Sequence, residues 1–349
     1  MYTKFIPQNV ALAGVRRIGI YDGNGNRVGQ IPLGSLTPPD IGQKKYSFGL
    51  LSDIHVNYWT GDEDFRRALR FFKNDNQVDM ICIAGDLATN GTDADLSLYK
   101  SIVDECSPGV PIYVSAGNHD AFYAYGANET PQTMGEELTS AAMLKYTGNP
   151  LYYSFERCDD VFIFVGICTT APFTVAEMQW LYETLERYRN KRCFLFQHTF
   201  LYESCGLVFG GYAPYLDPND RTMERVFKSL LSHYHNVVWF HGHSHTKFHG
   251  QELAANGAKA NYDNFFGCHS VHIPSLAYPK TDNGLDGTFD TAEEDSEGYV
   301  VDVYENGIHL RGRDFVKGEF LPIASYWLDT TLQTIPAGTY TDSTGTIKP

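Results

Sequence analysis

Residues 46–55 read Tyr46-Ser-Phe-Gly-Leu-Leu-Ser52-Asp53-Ile54-His55, an apolar run that stops abruptly in an acid and an imidazole. The run over Tyr46–Ser52 has the length of a buried strand and lacks the alternation of a strand with one wet face. Downstream, Phe65, Ala68, Leu69 and Phe72 recur at helical spacing, and Val78–Ala84 is a second apolar run. Leu96, Tyr99, Val103 and Cys106 then mark a second helix capped at Thr92, and Val110–Ser115 supplies a third strand. The order βαβαβ predicts a mainly parallel sheet covered by helices, which explains strands that are apolar on both faces.

The second half is more mixed. Leu151–Phe155 and Val161–Ile167 flank Arg157-Cys-Asp-Asp160 as an antiparallel hairpin. Thr174-x-x-Glu177 is a capping-box signal opening a helix with Met178, Leu181, Leu185 and Tyr188 on one side. Arg192–Gln197 reads as a strand, Met223–Tyr234 as a helix and Val237–Phe240 as another strand. Tyr262–Cys268 is expected as one strand, and Tyr299–Tyr304 pairs with Ile308–Arg313 around Glu305-Asn-Gly307. The expected fold class is α/β, with two packed mixed sheets and outer helices. Residues 1–45 stand apart: Arg17–Tyr21 and Arg27–Ile31 predict a hairpin around Asp22-Gly-Asn-Gly25, followed by a linker at Pro38-Pro39. Residues 316–349, rich in Thr, Gly and Pro, are expected as an extended appendage.

The chain of 349 residues is 43% apolar, enough for a sizeable core and too much for disorder. It has no apolar run of membrane-spanning length and no secretory leader pattern, so a cytoplasmic protein without a membrane role is expected. Its 27 basic and 42 acidic residues leave a net charge of −15, which argues against stable nucleic-acid binding. That charge still permits an enzyme that holds phosphate through metal ions. Seven cysteines without C-x-x-C spacing point to a reducing compartment.

Polar residues appear where the strands stop. The first ends in Asp53-x-His55, the second in Gly85-Asp86 and the third in Gly117-Asn118-His119-Asp120. The strand at 192–197 ends in His198, and the one at 237–240 in His241-Gly-His243-Ser-His245. Loops leaving the carboxyl ends of parallel strands share one edge of a sheet, so these five segments converge. Residues at i and i+2 of a strand end point to one side, which lets Asp53 and His55, or His243 and His245, face one ion. A carboxylate such as Asp86 can bridge two ions, and Asn118 offers a neutral oxygen. Mixed nitrogen and oxygen donors suit Mn, Fe, Zn, Ni or Co better than Ca or a simple Mg site.

These five blocks, in this order, resemble the signature of the calcineurin-like metallophosphoesterases over roughly residues 46–315. The resemblance implies a four-layer sandwich of two mixed β-sheets flanked by helices. It also implies a centre of two divalent or mixed-valence transition-metal ions (Mn, Fe or Zn) that hydrolyses phosphate esters with a metal-activated hydroxide. By motif, Asp53, His55 and His245 hold one metal, Asp86 bridges, and Asn118, His198 and His243 hold the second. His119 then stands beside the leaving-group oxygen, where a protonated ring would stabilise charge or donate a proton. Asp120 is the candidate to orient that ring; closing a strand-end turn is its other role.

The protein Ser/Thr phosphatase branch carries an Asp three residues after the bridging Asp, followed by Arg-Gly. Here Asp86 is followed by Leu-Ala-Thr89-Asn90. The expected substrate is therefore a small phosphate ester, first a phosphodiester and alternatively a phosphomonoester such as a nucleotide. A second alternative, from the appendages, is an attachment protein of a cell surface or phage tail carrying this domain. Other residues have bland readings beside functional ones. His241 is a supporting or core histidine, His269 and His272 are turn histidines near the pocket, and His233 and His235 close a helix. Tyr202, Phe209, Tyr212 and Tyr215 form an aromatic loop suited to stacking a flat group or to covering a small core.

Overall fold

Strands with no wet face need cover on both sides, and four layers supply it. The computed structural model describes residues 17–21, 27–32, 41–107, 109–124, 132–133, 135–167, 174–201, 204–206, 222–248, 261–265, 267–280, 294–342, 345 and 347. In chain order, β1 (Arg17–Tyr21) and β2 (Arg27–Pro32) pair antiparallel as a two-stranded sheet of their own. Next, β3 (Lys44–Leu51), α1 (Gly61–Arg70), β4 (Met80–Ala84), α2 (Asp93–Cys106) and β5 (Ile112–Ser115) form the expected βαβαβ unit with three parallel strands. Helix α1 runs on into a π-helical turn, Phe71–Asp75, and α2 starts where Thr92 Oγ1 accepts the Asp95 amide at 3.2 Å. A short ladder of β6 (Phe122–Ala124) and β7 (Gln132–Thr133) precedes α3 (Gly135–Thr147). Spacing gives no signal for α3, because Leu138 and Leu144 stay exposed while Thr139 is buried.

The second half adds β8 (Tyr152–Arg157), β9 (Asp160–Val165), α4 (Val175–Arg187), β10 (Cys193–Gln197), α5 (Thr222–His233) and β11 (Val237–His241). The capping box at α4 is formed, with Thr174 Oγ1 accepting the Glu177 amide at 3.2 Å and Glu177 Oε2 accepting the Thr174 amide at 2.5 Å. The single strand expected over Tyr262–Cys268 is instead β12 (Tyr262–Phe265) and β13 (Cys268–His272), antiparallel to each other. The break comes at Gly267, whose φ of 95° reverses the chain. His269 and His272 therefore lie in a buried strand and not in a turn. The chain closes with β14 (Glu297–Tyr304), β15 (Gly307–Asp314) and β16 (Glu319–Asp329).

One sheet runs β16-β15-β14-β3-β4-β5 and the other β12-β13-β11-β10-β9-β8. Alternate residues of each strand serve different layers. Met80, Cys82 and Ala84 of β4 face the second sheet, whereas Ile81 and Ile83 pack under α1 and α2. Phe48, Phe162, Phe164, Phe194, Phe196 and Phe240 fill the space between the sheets, with Phe164 and Phe196 stacked at 4.4 Å. Helices α4 and α5 cover the outer face of the second sheet. Within the stretch 316–349, residues 319–329 are the edge strand of the first sheet. Leu321, Ala324, Tyr326 and Leu328 alternate inward there, and Ile335, Tyr340 and Ile347 are buried against α4 and α5.

Where β3, β9 and β10 begin, a polar clamp joins the sheets. Arg192 donates to both Asp160 oxygens at 2.9 and 2.7 Å, and the Tyr46 hydroxyl donates to Asp160 at 2.8 Å. Arg192 also donates to the Gly307 carbonyl at 3.3 Å and to Thr330 Oγ1 at 2.8 Å. Cys82, Cys193 and Cys268 are buried thiols that pack as small apolar groups; Cys168 lies outside the described residues. Among the described residues, no helix is long and apolar enough to cross a membrane.

Candidate metal centre

At the opposite end of the sandwich the parallel strands of both sheets stop, and the five polar blocks meet there. The loops after β3 and β4 extend the ladder beyond the strands: Asp53 N donates to the Gly85 carbonyl at 3.1 Å, and Ile54 N and His55 N donate to the Asp86 carbonyl at 2.8 and 3.0 Å. Across the gap, Gly242 N donates to the His198 carbonyl at 2.9 Å, and His243 N donates to Asp53 Oδ2 at 3.0 Å. Two glycines allow this approach. A Cβ on Gly117 would collide with the Asp86 carboxylate, and one on Gly242 would collide with Ser52 and Asp53.

The side chains converge in two groups that share Asp86: Asp53, His55, Asp86 and His245 form one, and Asp86, His198 and His243 the other. Asp53 Oδ1 lies 2.9 Å from His245 Nε2, and Asp86 Oδ2 lies 3.1 Å from His198 Nε2 and 3.6 Å from His55 Nε2. His55 Nε2 and His245 Nε2 stand 3.3 Å apart, a spacing compatible with one ion about 2.1 Å from each. His198 Nδ1 donates to the Ala84 carbonyl at 2.7 Å, which turns Nε2 toward the carboxylates. Buried Asn118 has no hydrogen-bond partner for Oδ1 or Nδ2, an expense a protein accepts where an ion takes the oxygen. The donor set and this orphaned amide fit a pair of first-row transition-metal ions.

Five of the seven expected ligands, Asp53, His55, Asp86, His243 and His245, have φ between 45° and 72°. That left-handed region costs about 1–2 kcal/mol for each such residue. Strain of this kind gathers where function demands a fixed geometry. The charges are also unusual. Burial opposes ionisation of Asp53 and Asp86, yet the surrounding histidines hold both carboxyls below their ordinary range. Burial disfavours a proton on His198, but Asp86 and Asp53 outweigh it and raise the ring to about 9. Burial lowers His243 to about 3, so that ring is neutral and ready to ligate.

His119 stands at the rim, its ring 4.7 Å from that of His55. Its Nδ1–H donates to the Thr89 carbonyl at 2.7 Å, which assigns Nε2 to the site side. Burial pushes its pKa below the ordinary value, with Asp86 opposing. Asp120 does not orient this ring. Its oxygens accept the Ala88 amide at 3.0 Å and the Gly117 amide at 2.8 Å, so it closes the strand-end turn and is fully buried in doing so.

His241 lies apart from both groups, with Nε2 3.1 Å from Ser270 Oγ and 3.4 Å from Cys205 Sγ. Phe209, Tyr212 and Tyr215, with Tyr202, lie outside the described residues. Two neighbours carry no motif signal. Tyr278 lies against His245 and His55, at 4.3 and 5.0 Å between rings. Lys280 is nearly buried beside it, and burial lowers its ammonium to about 8.

The profile of the calcineurin-like phosphoesterase family matches residues 46–247. Among solved structures, a purple acid phosphatase (PPD1) from seeds of yellow lupin (Lupinus luteus) is 14% identical with a TM-score of 0.52. That match covers 90% of this chain but only 59% of the lupin enzyme. GAP50, the anchor in the inner membrane complex of Plasmodium, is 14% identical with a TM-score of 0.52, over 87% of this chain and 93% of its own. PhoD is 12% identical with a TM-score of 0.50, over 92% of this chain and 76% of its own. A search of curated proteins finds no match.

Proposed function

Since the chain belongs to the calcineurin-like phosphoesterase family, we propose that it is a metal-dependent phosphoesterase that hydrolyses a small phosphodiester at a two-ion centre. The observation that carries this reading is Asp86, a single carboxylate shared by two inward-facing donor groups. Asp53, His55 and His245 would hold one ion, Asn118, His198 and His243 the other, and Asp86 would touch both. When bound, such a pair acidifies a water and offsets charge on the phosphoryl oxygens.

This chain's own residues do the rest. The Ala84 carbonyl fixes the His198 tautomer, and the Asp86 Oδ1 contact with the His119 amide, at 2.9 Å, fixes the third loop. With Nδ1 held by the Thr89 carbonyl, His119 Nε2 would stand beside the departing oxygen. An anionic ester arriving there raises the ring's proton affinity, so His119 can hold a proton and pass it to that oxygen. Asp120 acts as a positioning residue for the loop that presents Asn118 and His119. The preference for a diester rests on charge: among the described residues Lys280 is a cation brought beside Asp53 and His245, and a monoanion demands less compensation than a dianion. A cytoplasmic setting belongs to the same proposal, supported by the interior thiols Cys82, Cys193 and Cys268.

The test is turnover of bis(p-nitrophenyl) phosphate and p-nitrophenyl phosphate by chelator-stripped protein after Mn²⁺ is restored. Diester turnover should dominate and vanish in Asp86→Asn. Dominant monoester turnover would replace the diesterase reading with a phosphomonoesterase, and no turnover of either ester would sink both.

A further inference from the structure

Directly after the Asp53-x-His55 block, the chain places two large aromatic side chains in solvent. Tyr58 is 47% exposed and Trp59 56% exposed. They continue a line of rings that begins at the metal centre: His245 to Tyr278 at 4.3 Å, Tyr278 to Tyr58 at 5.4 Å, and Tyr58 to Trp59 at 6.3 Å. The line is built rigidly. Ala277 N donates to the Asp53 carbonyl at 3.3 Å, Tyr278 N donates to Ser275 Oγ at 3.2 Å, and Ser275 Oγ donates to that same Asp53 carbonyl at 3.1 Å. Thr60 Oγ1 donates to the Ala277 carbonyl at 3.1 Å, tying the loop of Tyr58 to the segment of Tyr278.

The loop is also held in a conformation that side chains resist. Trp59 has φ 50°, a left-handed backbone that is unusual for a bulky residue, and it follows Asn57 at φ 67°, a residue type that tolerates that region. Asn57 is pinned there from both sides, its amide donating to Asp62 Oδ1 at 2.7 Å and its Nδ2 to Asp95 Oδ1 at 2.8 Å. Strain maintained to keep a hydrophobic ring in water points to a ligand.

We propose that Tyr58, Trp59 and Tyr278 form an aromatic ledge that stacks a planar aromatic group of the substrate, such as a nucleobase, while its phosphate lies at the metal centre. The proposal deepens the phosphoesterase reading and rests on it for the position of the phosphate. Base-on-ring stacking tolerates different bases, so the ledge selects for flatness and not for one pattern of hydrogen bonds.

Binding tests this separately from turnover. The Mn²⁺-loaded full chain is titrated calorimetrically with the methylene phosphonate analogues of AMP and of methyl β-ribofuranoside 5-phosphate, which cannot be hydrolysed and differ in carrying a base or a methoxy group at the anomeric carbon. The base-bearing analogue should bind about tenfold or more tightly. That advantage should fall to about twofold or less in Tyr58→Ala and Trp59→Ala, and persist in Trp59→Phe. Trp59→Gly removes the ring while relaxing the backbone, so the same loss in that variant excludes misfolding as its cause. Equal affinities in the wild type, or an advantage that survives both alanine variants, would overturn the ledge. A preserved advantage in a protein that hydrolyses no phosphate ester would sink the phosphoesterase reading and leave the ledge standing.

Discussion

At His198 two tendencies compete. Burial favours the neutral ring, but two carboxylates within 3.1 and 3.7 Å keep its proton on, up to about pH 9. An ion needs that nitrogen bare, so at neutral pH binding must expel the proton. Metal affinity should therefore rise with pH, by about tenfold per unit where this one proton is displaced, and level off above about pH 9. Calorimetry of Mn²⁺ binding in buffers of different ionisation enthalpy measures the released proton directly. A proton count of zero at pH 7 would contradict the ion pairing described. Residue type at the strand ends is enough to single out the six carboxylate and imidazole side chains that converge in the two groups, because such residues in that order have few other uses together. The same reading misplaced the Asp120 side chain. An acid beside a histidine looks like its partner, whereas the amides of Gly117 and Ala88 lie closer along the turn. Tyr58, Trp59 and Tyr278 went unmarked because aromatics are common in cores, and only their exposure and mutual placement distinguish them.

Among the elements, the strands and helices with one clear job were legible. The βαβαβ unit and the capping box at α4 follow from apolar runs, helical spacing and turn chemistry. Helix α3 was not, since its apolar residues do not share a face, and the β12–β13 turn depends on the backbone of one glycine. The polar clamp between β9, β10 and the first sheet was equally invisible, because it links Tyr46, Asp160, Arg192 and Thr330 from four distant places. Arg192→Met should destabilise the protein by about 1–3 kcal/mol, since buried Asp160 would keep only the Tyr46 hydroxyl and the Lys45 ammonium, 3.2 Å away, as partners. Urea unfolding of that variant beside Asp160→Leu/Arg192→Met separates the two effects, as the double variant should recover most of the loss. A single variant within about 0.5 kcal/mol of the wild type would show the clamp to be dispensable.

For the molecule as a whole, the strand that follows β15 is part of the sandwich. Residues 319–329 cover β15, which would otherwise present unpaired backbone groups, and Ile335, Tyr340 and Ile347 complete the packing over α4 and α5. Removal of residues 319–349 should give a protein that aggregates, which light scattering after purification would reveal. A monodisperse, active truncated chain would show this edge to be a true appendage.

The two sheets are fastened differently at their two ends. The clamp of Asp160 and Arg192 closes one end permanently, like the spine of a book. At the other, Asp53 and Asp86 belong to one cover and His198, His243 and His245 to the other, so ions held there would act as a clasp beside the direct bonds of His243 to Asp53 and His198 to Ala84. Stripping the metal should then loosen more than chemistry, with hydrogen exchange rising at the clasp end of the phenylalanine layer before it rises at the clamped end.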